Sequence, residues 1–121
     1  MDINLTRIGQ IIFGIPFLVF GILHFLNADA MAGMVPLPGG VIWVYLTGLA
    51  QVLAFVSIVI RKKTRLACLL LALMLLIFVL SLHLPGVIAG GDAAQMSMGN
   101  LLKDIGLMGA ALVIANQFGN D

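Results

Sequence analysis

The chain has 121 residues, 62% hydrophobic and 9% charged, with a net charge of +1 and a mean hydropathy of +1.19. Soluble domains carry roughly 25% charged residues, and apolar surface in such excess aggregates in water, so an ordinary soluble domain is excluded. One membrane-embedded domain, residues 1–121, remains, with connections too short to hold a separate catalytic domain.

Four apolar runs, at residues 8–26, 41–60, 66–84 and 98–118, each approach the roughly 20 residues that cross a hydrocarbon core about 30 Å thick. They predict an all-α polytopic protein, four transmembrane helices in an antiparallel bundle. On the first helix, Gln10, Gly14, Phe17, Gly21 and His24 fall on one stripe at about 100° per residue. Small residues let membrane helices approach closely, so this stripe is expected to face the bundle. Pro16, inside the run, is expected to bend the helix and free a carbonyl. Arg7, the apolar run and Ala28-Asp29-Ala30 imitate a cleavable signal. The run is too long for the usual h-region of 7–15 residues and carries His24, so the first span is expected to stay.

The second helix opens with Trp43 and Tyr45, aromatic residues suited to a membrane interface. Gly48, Gln51 and Phe55 share a face of it, with Gln51 nearer the midplane. Four of the six basic residues, Arg61, Lys62, Lys63 and Arg65, then crowd into the central linker. Juxtamembrane cations stay on the cytoplasmic side, so the two flanking connections are expected outside and both termini inside. The same cations suit anionic headgroups, and the patch is too small, beside two spans, for nucleic acid. The third helix carries the single cysteine, Cys68. One thiol excludes an intramolecular dithiol relay, and Cys68 reads as a small apolar packing residue. The third helix ends near His83, before Pro85. On the fourth, Lys103 and Asp104 lie about one turn inside the boundary, and Gly106 and Ala110 form a small-xxx-small pair.

With this topology His24, His83, Asn100, Lys103 and Asp104 come from three helices to the outer leaflet, with Tyr45 at similar depth and Gln51 below. An unpaired charge inside the membrane costs roughly 2.5–3.5 kcal/mol on insertion scales, so Lys103 and Asp104 call for partners or a role. Metal-ligand spacing is lacking, since no paired H-x-x-x-H occurs, and Met31, Met34, Met96 and Met98 read as adaptable packing. No G-x-S-x-G, Walker or dinucleotide fingerprint is present, so no catalytic set is assigned. A quinone head fits best: two histidines and a lysine donating to its carbonyls, aromatic and Met walls around it, and an Asp for proton transfer.

The order Arg7-Ile-Gly, Gly21-Ile-Leu-His24-Phe, Pro36-Leu-Pro38, Leu46-Thr-Gly48, Arg65-Leu-Ala, His83 and Leu102-Lys103-Asp104-Ile-Gly106-Leu-Met-Gly109 resembles the DoxX family over almost the whole chain. The resemblance implies a four-helix bundle in the bacterial cytoplasmic membrane. The family takes its name from a subunit of quinone-linked sulfur-compound oxidation, and some relatives are linked to oxidative or thiol stress. In that family an acidic residue often stands three positions after the Gly of the second helix. Here it is Gln51, which argues against proton carriage there. The expected role is an accessory of a membrane redox system that binds a quinone or similar apolar molecule through His24, His83, Lys103, Asp104 and Asn100, supported by Gln51 and Tyr45. Its expected partners are the lipid bilayer and a redox enzyme or a second copy. A non-catalytic assembly factor of a membrane complex, and a small-molecule permease, are the alternatives.

Overall fold

The computed structural model describes residues 4–35 and 38–119; Pro36 and Leu37, part of the motif quoted above, lie outside the described residues. Helix α1 (Leu5–Leu26) begins three residues earlier than the hydropathy suggests because Asn4 accepts the backbone N–H of Arg7 at 3.0 Å, a side-chain N-cap. The helix continues through Pro16. A short α2 (Ala28–Ala32) leads towards α3 (Gly40–Ile60). Gly39, at φ +81°, precedes α3. A side chain on Gly40 would lie 2.8 Å from the carbonyl oxygen of Ala32, so α2 and the start of α3 meet through glycine.

Arg61 and Lys63 both take left-handed backbone, at φ 58° and 57°. They reverse the chain within three residues, and the Thr64 hydroxyl donates to the Ser57 carbonyl at 2.8 Å across the turn. Helix α4 (Thr64–Phe78) passes into a π-helical turn, Val79–His83, and then α5 (Leu84–Ala89). The span therefore runs to Ala89, past the end at 84 expected from Pro85. The physical reason lies in the turn: the Leu84 N–H donates to the Val79 carbonyl, five residues back. Pro85 has no N–H and would crowd the carbonyl four residues before it. Widening the helix just ahead of the proline lets the chain continue instead of stopping. Helix α6 (Ala94–Gln117) completes the fold.

Four stretches, Leu5–Leu26, Gly40–Ile60, Thr64–Ala89 and Ala94–Gln117, are long and apolar enough to cross a membrane. The fold is all-helical. α1 packs on α3 and α4 on α6, giving two hairpins, while α1 and α6 scarcely touch. The stripe expected on α1 is the buried one, with Gln10, Gly14, Phe17 and Gly21 all inside. Gly21 and Gly48 sit where the helices cross: a Cβ on Gly21 would lie 2.8 Å from the Gly48 carbonyl oxygen and 2.6 Å from Val52. Gly106 departs from expectation, because a side chain there would meet nothing within 4 Å. The buried face of α6 is Asp104, Ala111, Ile114 and Ala115, which turns Gly106 outward.

The basic end of the bundle is filled. Ile58, Cys68, Ala72, Ala111, Ile114 and Ala115 form a continuous core. Arg7 donates to the carbonyls of Ile58 and Val59 at 2.6 and 2.7 Å, and Arg65 to those of Ala115 and Phe118 at 3.4 and 3.5 Å. These carbonyls lie at the C-terminal ends of α3 and α6, which favour cations. Gln10 joins α1 to α6 through Gln117 at 2.9 Å.

Candidate functional site

At the opposite end the two hairpins leave a cavity of about 570 Å³, within the roughly 300–1,000 Å³ typical of small-molecule sites. Its walls are mainly apolar. Phe17 and Phe20 come from α1, Met31 from α2, Trp43 and Val44 from α3, Met74, Leu75, Ile77 and Phe78 from α4, and Leu107 from α6. The polar groups arise from four elements: His24 on α1, Thr47 and Gln51 on α3, Ser81 and His83 on the π turn, and Asn100, Lys103 and Asp104 on α6.

Each element places its residue for a local reason. His24 follows the Gly21–Gly48 crossing, where a side chain on Gly48 would lie 2.7 Å from the His24 Cβ, so glycine there keeps the imidazole's place open. The ring Nδ1 lies 2.6 Å from the Phe20 carbonyl oxygen, and Nε2 lies 3.5 Å from the Gln51 amide nitrogen. A carbonyl only accepts, so Nδ1 carries the proton, and Nε2 of the neutral ring accepts from Gln51.

Asp104 is buried, and its Oδ2 accepts from His83 Nε2 at 2.8 Å. Its Oδ1 faces the Lys103 ammonium at 3.5 Å, which also stands 5.2 Å from the centre of the Phe20 ring. The intramembrane carboxylate thus has two partners from different elements, and Lys103, half exposed, keeps its stem along the wall. The π turn is what aims His83. A π segment shifts the facing of every residue beyond it, and such turns recur at functional sites.

Six of the seven residues singled out from sequence, His24, Gln51, His83, Asn100, Lys103 and Asp104, line this one cavity. Tyr45 does not. It stacks on Phe25 with ring centres 5.8 Å apart and borders a smaller hollow with Asn27 and Asp29. Thr47, Phe20 and Ser81 were not singled out. Thr47 lies four residues before Gln51 and Phe20 four before His24, so helical periodicity places both beside residues already named. Ser81 depends on the π turn and carries no comparable signal. Among the described residues no three His, Cys, Asp or Glu side chains gather into a metal-holding group.

Residues 13–99 match the model of a family described as a domain of unknown function, DUF8561. No curated protein and no solved structure matches the chain.

Proposed function

Since the chain belongs to the DUF8561 family, whose description ascribes no activity, its role has to be argued from the cavity, and we propose that it is a multi-pass membrane protein that holds a quinone-type molecule between its two hairpins. The observation that carries this reading is one cavity with apolar walls and a polar edge drawn from α1, α3, the π turn and α6. An apolar tail suits the Phe, Met and Leu walls, and a ring with polar substituents suits the edge. The resemblance of Gly21 to Phe25 and of Leu102 to Gly109 to DoxX proteins supports a place beside a membrane redox system. The exposed cations of the turn at Arg61, Lys62 and Lys63 support an orientation with that turn in the cytoplasm and the cavity towards the outer leaflet.

Solvent extraction of protein purified in mild detergent, followed by mass spectrometry, tests the reading. Stoichiometric quinone is expected in the parent and its loss in folded His24→Ala, His83→Ala and Lys103→Ala variants. The same background lipid in all samples would refute it. One observation favours a second reading, a non-catalytic assembly factor: Gly106 and Gly109 face outward with nothing within 4 Å, a surface on which another membrane helix could approach closely. That reading predicts that substitutions at Gly106 impair function while substitutions in the cavity do not.

A further inference from the structure

The hydrogen-bonding groups around the cavity are not evenly divided between donors and acceptors. The Trp43 indole N–H donates to the Pro38 carbonyl at 2.9 Å. The one Thr47 hydroxyl proton is shared between the carbonyls of Trp43 and Val44, each at 3.0 Å. The Ser81 hydroxyl donates to the Ile77 carbonyl at 2.6 Å. The protons on His24 Nδ1 and His83 Nε2 are committed to the Phe20 carbonyl and to Asp104, at 2.6 and 2.8 Å.

A hydroxyl has one proton and two lone pairs, and a neutral imidazole one N–H and one lone pair. With those protons engaged, Thr47 and Ser81 keep only acceptor positions free. Gln51, buried, directs one amide N–H at His24, which leaves its second N–H and its carbonyl oxygen, so it offers a donor and an acceptor alike. Lys103 keeps ammonium protons, but Asp104 and the Phe20 ring hold it in place. Asn100 has donors and an acceptor alike and does not discriminate. His24, whose Nδ1 proton is held by the Phe20 carbonyl, is therefore not the donor that a quinone's carbonyls would need.

We propose that the cavity selects the hydroquinone form over the quinone, because Thr47 and Ser81 present acceptors that only a ring bearing O–H groups can satisfy. This rests on the reading that a quinone-type molecule occupies the site. A quinone would set its carbonyl oxygens against the lone pairs of Thr47 and Ser81 and leave both unpaired. A hydroquinone turns the same two oxygens into donors. A tenfold preference raises the two-electron potential of the bound pair by about 30 mV, so the bound couple becomes the better oxidant.

The test uses the full chain in mild detergent under nitrogen, with equilibrium dialysis against durohydroquinone and against duroquinone, which differ only by two hydrogens. Durohydroquinone is expected to bind about tenfold tighter, the size of two net hydrogen bonds. In the Thr47→Val/Ser81→Ala double variant the ratio should shrink towards one, through loss of durohydroquinone affinity. Tyr45→Phe, outside the cavity, should leave both affinities as they are. Equal affinities in the parent, or tighter duroquinone, would overturn the selection while leaving a quinone site in place. If neither compound binds the folded parent, both the selection and the quinone reading fall.

Discussion

At the basic end of the bundle, side chains reach across to complete their neighbours: Arg7 and Arg65 close the carbonyls of α3 and α6, and small residues such as Ala72, Ala111 and Ala115 let Ile58 fill the centre. At the cavity end, polar side chains mostly close on their own helix, as Thr47, Ser81 and His24 do on carbonyls three or four residues back. The first arrangement ties helices together. The second leaves the helices apart and the space between them open. Where membrane helices have no hydrophobic drive to associate beyond packing and hydrogen bonds, the direction of a few side-chain bonds decides which end is solid and which is hollow.

The sharpest way to break the contrast is Ile58→Ala. This side chain is fully buried, and removing it from a filled core is expected to lower stability by about 2–5 kcal/mol, read from unfolding in detergent micelles, with the cavity unaltered. Gly21→Ala comes next. The added methyl meets the Gly48 carbonyl and Val52, and overpacking of this kind costs about 1–3 kcal/mol. Because the crossing also seats His24, quinone retention should fall together with stability.

Much of this was legible in the sequence, and the misses share a cause. Hydropathy finds the spans because length and apolarity are local, and the buried stripe of α1 follows from glycines that a lipid-facing helix does not need. Depth is legible too, which is why six of the seven named site residues meet. Azimuth is not. Tyr45 lies one residue from Val44, at cavity depth, yet 100° around the helix, so it faces Phe25 instead. Gly106 reads as an interface residue, but a small residue marks a close approach only if a neighbour is there, and α6 turns its Asp104–Ala111–Ala115 face inward. The end of the third span was misplaced because Pro85 signals a stop, whereas a wider turn ahead of it lets the helix pass.

Smaller effects sharpen the same contrast. Arg7→Ala removes two short bonds to helix-terminal carbonyls, part of them solvent-facing, and should cost about 1–2 kcal/mol without changing ligand retention. Gln51→Leu should do the reverse. It forfeits one long contact with His24, near the roughly 0.6 kcal/mol average for interhelical bonds in membranes, yet retained quinone should drop severalfold in the extraction assay. Gly106→Leu should change unfolding by less than about 0.5 kcal/mol; a marked loss in the protein within its native membrane, absent from the purified protein, would reveal another chain on that face.

The π turn at Val79–His83 makes the site vulnerable to a different kind of change from substitution. Trading one side chain for another alters the strength of a contact but keeps its bearing. Winding the same residues as an ordinary helix, with none added or removed, would rotate everything beyond the turn by about 100°. His83 would swing off the wall that it shares with Asp104, while composition, hydropathy and span length stayed nearly the same. Two chains could therefore look alike by every measure of content and differ in whether they hold a ligand, the distinction lying in how the turn before Pro85 is wound.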